Sequence, residues 1–301
     1  MNTLHGIAEL RAALAGDRGS GHSIGLVPTM GFLHDGHTSL IRRARERCDV
    51  VVVSLFVNPA QFDDAGDLAA YPRDAARDQA IAAAAGADIL FAPLPEAIYP
   101  PGFATTISVS GVSEPLEGAQ RGRAHFDGVA TVVTKLLNIV APDVAFFGQK
   151  DAQQVLVVRR LVRDLDIPVE IEVCPTVREA DGLALSSRNA RLDADDRERA
   201  TALSRALRGA EAAVAAGERE PARIRDAAYA VLREAEIEPE YLELVAADDL
   251  EPVSVLDGPV LLAVAARVGD VRLIDNVILT GAVSGAHPLP HSPPAPVRSP
   301  A

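Results

Sequence analysis

Tryptophan is absent from this 301-residue chain, cysteine and methionine occur twice each, and lysine occurs only as Lys135 and Lys150. Two cysteines, Cys48 and Cys174, are too few and too far apart for a disulfide framework or a zinc site, and they read as reduced core or strand residues. No run of about 18 uninterrupted apolar residues occurs, so no membrane-spanning helix is expected. The opening Met1-Asn2-Thr3-Leu4-His5 lacks the basic flank and apolar stretch of a secretion signal, which gives the expectation of a cytoplasmic location. Cations are outnumbered, 29 against 42 acidic residues, for a formal charge of −13. Such a field repels polyanions and argues against nucleic-acid binding, so any phosphate site has to be local. Neither the P-loop pattern nor GxGxxG appears.

What is present is an ordinary folded composition, 48% hydrophobic and 24% charged, which excludes both disorder and a membrane class. The length suggests about two domains. Strand-length apolar runs alternate with amphipathic stretches over the first half, the pattern of a doubly wound, Rossmann-like parallel sheet. Ser23 to Thr29, Val50 to Val57, Asp88 to Ala92, Asp143 to Phe147 and the alternating Val169, Ile171, Val173 read as strands. Helices are expected from Gly36 or His37 to Arg47, over Asp67 to Ala87 with a break at Pro72, and over Asp151 to Leu165. Val129, Val132, Val133, Leu136, Leu137 and Val140 repeat at helical spacing. The first domain is assigned to residues 1–176.

From 177 to 283 the pattern changes to a smaller α+β domain. Two helices, Asp193 to Ala216 and Ala222 to Ala235, precede strands at Tyr241 to Val245, Val260 to Ala266 and Val271 to Leu279, the last two joined as a hairpin through Gly269-Asp270. Residues 284–301 hold six prolines in eighteen positions and read as a disordered tail.

Three clusters carry chemistry. PTMGFLHDGH, Pro28 to His37, joins the first strand to a helix start. There an open α/β sheet opens a crevice, and unpaired N–H groups with a positive dipole end suit phosphate. His34 and His37, three apart, can both lean on one polyphosphate; a bare His-x-Gly-His is also an ordinary polar loop, and its position favours the ligand reading. FFGQKDAQQ, Phe146 to Gln154, repeats the strand-to-helix context: Lys150 can neutralise phosphate, Asp151 can accept from ribose, and Gln154 can bond a small polar substrate. PTVREADGLALSSRN, Pro175 to Asn189, lies at the domain junction, where Ser186, Ser187 and Arg188 can close over pyrophosphate as a lid. Gln61, near Asn58 and Pro59 at the end of the second strand, offers an amide to a carboxylate or hydroxyl. Glu117, Arg121, Arg123 and His125 either line the pocket or form a solvated capping loop.

In this order and spacing, PTMGFLHDGH, FVNPAQF, FFGQKDAQQ and TVREADGLALSSRN resemble the pantothenate synthetase family over residues 1 to 283. That resemblance implies an enzyme of the nucleotidylyltransferase superfamily that condenses pantoate with β-alanine, using ATP and Mg²⁺, through a pantoyl-adenylate, releasing AMP and pyrophosphate. It implies a homodimer. Residue by residue, it places Met30, Gly31, His34, Gly36 and His37 on ATP, with Gly148, Gln149, Lys150, Asp151, Val177, Leu185, Ser186, Ser187 and Arg188. Gln61 and Gln154 would hold pantoate, and His34, His37, Lys150 and Arg188 would carry the chemistry, with no resident protein metal site. Leu185 stands where methionine is common, a near volume-conserving exchange. The stretch Glu117 to His125 is one residue longer than usual.

The nearest rival is a nucleotidylyltransferase that joins ATP to a phosphorylated acceptor; the neutral amides of Gln61 and Gln154 argue against it. A tRNA synthetase is disfavoured by the acidity, and a non-enzymatic nucleotide sensor predicts ATP binding without turnover.

Overall fold

A computed structural model describes residues 1–62 and 65–281; the Pro-rich segment 284–301 lies outside the described residues. Six parallel strands form the main sheet: β1 (Asn2–Leu4), β2 (Ile24–Thr29), β3 (Val50–Leu55), β4 (Ile89–Phe91), β5 (Val144–Gly148) and β6 (Glu170–Cys174). Their order is β1-β4-β3-β2-β5-β6, so the chain winds outward from β2 in one direction through β3 and β4, then returns to the middle and leaves the other way through β5 and β6. The reversal between β2 and β5 is the topological switch point, and it opens a crevice beyond their carboxyl ends.

The helices of this part are α1 (Ile7–Gly19), α2 (Asp35–Arg47), α3 (Ala65–Ala70), α4 (Ala75–Ala85), α5 (Pro95–Ile98), α6 (Glu117–Arg121), α7 (Arg123–Val140) and α8 (Ala152–Asp164). The inner strands β2, β3 and β5 are apolar on both faces because both are covered. Ile24, Leu26, Val50, Val52, Ala145 and Phe147 join a core with Leu10 and Leu14 of α1 and the apolar stripes of α7 and α8. The alternate residues Val27, Val51, Val53 and Phe146 pack on Leu40, Ile41 and Ala44 of α2 and on Ala82 and Ala85 of α4. That two-sided burial is why β3 reads as an unbroken Val-rich run.

The second part holds α9 (Ala194–Ala215), α10 (Pro221–Glu234) and an antiparallel meander β7 (Pro239–Ala246), β8 (Pro259–Val268) and β9 (Val271–Thr280). Asp193 caps α9 through Asp196 N at 2.8 Å, and Pro221 occupies the first turn of α10, where no N–H is needed. Val268 pairs with Val271, leaving Gly269-Asp270 as the hairpin turn, as the sequence suggests. Along β8, Val260, Leu262, Val264 and Ala266 face α9 and α10. Leu261 and Ala263 join the main core instead. The small sheet is therefore sandwiched, and its edge strand β9 reaches the crevice.

β1 and α1 have no counterpart in the sequence reading; β1 is three residues long, too short to show a period. The helix expected to start at Asp151 starts at Ala152, after a 3-10 turn over Gln149–Asp151. The break at Pro72 separates α3 from α4. Cys48 and Cys174 are buried and free, and desolvation pushes both thiols up to about 11.

Candidate active site

The switch-point crevice is a cleft of about 370 Å³. All three sequence clusters meet in it: Met30, His34, Gly36 and His37 from the β2–α2 connection, Gly148, Lys150, Asp151 and Gln154 from β5–α8, and Val177, Leu185, Ser186, Ser187 and Arg188 from the segment after β6. Gln61 lines the same cleft. Gly31 and Gln149 do not line it. Gly31 has φ +91°, and a Cβ there would lie 3.0 Å from Leu55 Cδ1 and 3.1 Å from Asp78 Oδ2.

The β2–α2 turn is held in a strained shape by one buried carboxylate. Phe32 also has positive φ, 51°, a conformation that a bulky side chain adopts only when surroundings enforce it. Asp78 of α4 supplies the constraint: its two oxygens accept from Phe32 N and Leu33 N, both at 2.7 Å. Nothing in the sequence sets Asp78 apart from an ordinary first-turn helix acid.

Immediately beyond, His34 caps α2. Its Nδ1 accepts from Gly36 N at 3.1 Å, and His37 Nδ1 accepts from His34 N at 3.3 Å. A ring nitrogen that accepts carries no proton, so both neutral rings keep theirs on Nε2. The rings lie 4.1 Å apart. Desolvation first, and then the neighbouring ring and the charge of Lys150, lowers His37 to about 3. Desolvation and Lys150 lower His34 as well. Two adjacent neutral donors result.

Gln61 is oriented by a chain of amides. Tyr99 OH donates to Asn58 Oδ1 at 2.7 Å, which also accepts from Ala60 N at 3.3 Å. Asn58 Nδ2 therefore faces Gln61 Oε1 at 3.0 Å and Gly128 O at 3.1 Å. Gln61 Nε2 is left to meet Met30 Sδ at 2.9 Å, a weak acceptor that a substrate oxygen can replace. The side chain thus presents a donor.

Sequence reasoning left Glu117, Arg121, Arg123 and His125 open between pocket wall and capping loop; Glu117, Arg121 and His125 line the cleft, whereas Arg123 is exposed and does not. Glu117 is buried and accepts from Arg272 Nη1 and Nη2 at 2.8 and 2.7 Å, Arg121 Nε at 2.8 Å and Tyr241 OH at 2.9 Å. Desolvation pushes its carboxyl up, but the hydrogen bonds and charges of Arg272 and Arg121 outweigh this and hold it at about 2. Tyr71, which the sequence did not single out, also lines the cleft and meets Ser187.

Of the carboxylates on the cleft wall, Glu117 is tied to arginines and Asp275 accepts both Nη atoms of Arg178, at 2.6 and 3.0 Å. Asp151 is exposed, with Lys150 Nζ 3.9 Å away. Thr176 Oγ1 is buried without a hydrogen-bond partner among the described residues, on a wall that a ligand would contact. Among the described residues no cluster of three or more His, Cys, Asp or Glu could hold a metal ion. None of the described helices is long and apolar enough to cross a membrane.

The fold and cleft define an α/β enzyme of the nucleotide-binding, doubly wound class. A family profile described as pantoate-beta-alanine ligase matches residues 2–278. A pantothenate synthetase of Cereibacter sphaeroides is 56% identical over 274 residues, covering 91% of this chain and 98% of the relative. One of Chelativorans sp. is 58% identical over 271 residues, covering 90% and 95%. The crystal structure of pantothenate synthetase from Thermus thermophilus superposes with a TM-score of 0.88 at 46% identity, covering 93% of this chain and 100% of that one. That of pantoate-beta-alanine ligase from Francisella tularensis, described as complexed with beta-gamma ATP and beta-alanine, gives 0.75 at 35% identity, covering 92% and 97%. The chain belongs to the pantoate-beta-alanine ligase family, and it is a ligase of the pantothenate synthetase type.

Proposed function

We propose that the chain joins pantoate to β-alanine in two steps through a pantoyl-adenylate. The observation that carries this reading is the convergence of Lys150, Arg188 and the two Nε2-protonated histidines on one cleft that also contains the uncharged donor of Gln61. A carboxylate is a poor electrophile. Its oxygen attacks the α-phosphorus of ATP, the bond to the bridging oxygen breaks, and pyrophosphate leaves with the electron pair. The neutral amine of β-alanine then attacks the activated carbonyl, and the bond from that carbon to the AMP oxygen breaks. AMP departs with the electron pair, and the nitrogen releases a proton to solvent as the amide forms. No enzyme nucleophile is required.

The side chains act by position and charge. Met30 to His37 and Gly148 to Asp151 grip the nucleotide, and Thr176 Oγ1 and Val177 meet the base. Lys150, Arg188 and the hydroxyls of Ser186 and Ser187 meet the phosphates, where Lys150 and Arg188 offset the charge growing on pyrophosphate as it departs. The histidines donate Nε2–H without adding charge. Gln61 and Gln154 orient pantoate. Neutral amides fit an acceptor with a carboxylate and hydroxyls better than a phosphorylated one. Magnesium bound to the nucleotide would supply further neutralisation. Asp151, the wall carboxylate not committed to an arginine, would hold it directly or through water, a donor set suited to an ion carried mostly by phosphates.

A homodimer and a cytoplasmic location belong to the same reading, and sedimentation and cell fractionation check them. Residues 177–283 would act as a second domain whose 185–188 loop closes over the phosphates. The primary test is product analysis. AMP and pyrophosphate are expected in equal amounts with pantothenate, and pyrophosphate should exchange into ATP when pantoate is present without β-alanine. ADP and phosphate as products would refute the adenylate route.

A further inference from the structure

Two buried polar residues stand side by side on the edge strand β9, where the sheet alone has no use for them. Asp275 is 3% exposed and Asn276 is 5% exposed. Their partners across the ladder are Val264 and Ala263. Apolar side chains there would cost less, since each buried polar group must find hydrogen bonds to offset desolvation. Both find them, and outside their own sheet.

Asn276 Nδ2 donates to Gln149 O at 3.0 Å and to Lys150 O at 2.8 Å, while its Oδ1 accepts from Gln149 Nε2 at 3.1 Å. Those carbonyls belong to the 3-10 turn that carries Lys150. Asp275 takes both Nη atoms of Arg178 and also accepts from Asn276 N at 2.8 Å. Arg178 pairs with Ala184 as the base of a short hairpin, and Leu185 to Arg188 follow directly. One dipeptide is thus bonded to the turn under Lys150 and to the stem of the loop that ends in Arg188.

We propose that Asp275-Asn276 is a positioning pair that fixes the spacing between Lys150 and the Ser186–Arg188 loop, so that both meet the same triphosphate. Neither residue is assigned contact with a reacting atom. The proposal rests on the phosphate roles given above to Lys150 and Arg188. It accounts for buried polar groups on β9 by what they hold. A displacement of about 1 Å in a charged group can cost on the order of 10²-fold in rate.

The test uses the full chain and pantoate-dependent pyrophosphate exchange, with rates corrected for the folded fraction measured by circular dichroism. Asn276→Ala, Lys150→Ala and the double variant are compared. Asn276→Ala should lower kcat roughly 10- to 100-fold, and Lys150→Ala about 10²-fold. Because the first change acts through the second residue, the double variant should fall no more than about twofold below Lys150→Ala. Wild-type kcat and KM for ATP in Asn276→Ala, with Lys150→Ala impaired, would overturn the positioning role and leave the site reading standing. Losses that multiply in the double variant would also overturn it. Lys150→Ala with wild-type kinetics would remove the site reading and the inference together. Should Asn276→Ala fail to fold, Arg178→Gln addresses the other arm at a partly exposed side chain. A several-fold rise in KM for ATP is expected, and unchanged constants would overturn the proposal.

Discussion

The two histidines show how one residue type gains a defined role from its backbone. Helix α2 begins at Asp35, and the N–H groups of Gly36 and His34 are bonded to imidazole Nδ1 atoms. This fixes both tautomers and leaves Nε2–H for a ligand. Protonation would place a donor against a donor, so the geometry and the lowered pKa agree. In the unfolded chain His37 takes a proton near 6.5, and in the folded chain near 3. Between those values the unfolded state binds more protons, so folding stability falls as pH drops from 6.5 towards 3. His37→Gln should remove this component. Between about pH 7 and about pH 4.5, wild type should lose on the order of 2 kcal/mol more than the variant in urea unfolding. Equal losses would mean that His37 is not held neutral. Near neutral pH, His37→Ala should fold and lose roughly 10²-fold in pyrophosphate exchange, as expected for one contact to developing charge. A raised KM with unchanged kcat would instead mean uniform binding of ground and transition states.

At the level of elements, the site is a set of strand-to-helix connections clamped from behind. The turn Pro59–Gln61 is pressed against α7 at Gly128, where an added Cβ would lie 2.2 Å from Ala60 O and 2.8 Å from Gln61 N. Both contacts are backbone, so Gly128→Ala must push the turn and Gln61 with it. KM for pantoate should rise at least about tenfold, and stability should fall by about 1–3 kcal/mol. A wild-type pantoate KM would show that Gln61 does not read that substrate. The connections themselves were legible in the sequence because strand endings, helix periods and the His, Lys, Gln and Ser-Ser-Arg clusters are local signals. The clamps were not. Asp78, Tyr99 and Gly128 act on residues 46, 41 and 70 positions away, and no local pattern records such a partner. Arg121 and Glu117 were seen but could not be placed, because whether a carboxylate and a guanidinium are solvated or buried together depends on Arg272, 155 residues on from Glu117.

Across the whole molecule, that ion cluster binds the small sheet to helix α6 of the first part. Arg272 of β9 is bidentate to Glu117 of α6 and also meets Glu240 of β7 at 2.6 Å. Arg272→Leu leaves buried Glu117 with Arg121 as its one cation and the Tyr241 hydroxyl as a neutral donor, and a loss of about 3–5 kcal/mol is expected in urea unfolding. Glu117 is held at about 2, below its unfolded value, so its contribution is complete above that unfolded value and disappears as pH falls towards 2. A loss under about 1 kcal/mol in Arg272→Leu would place the cluster in solvent-like surroundings. The antiparallel meander was readable from strand-length runs without intervening helices and from the Gly-Asp turn, whereas its burial on both faces was not, since that depends on where the first core ends. The enzyme's chemistry is tested most directly with pantoate labelled with ¹⁸O in its carboxylate. One labelled oxygen is expected in the phosphate of AMP after turnover, because that oxygen forms the bond to the α-phosphorus; AMP without label, or label appearing in inorganic phosphate, would contradict the adenylate mechanism.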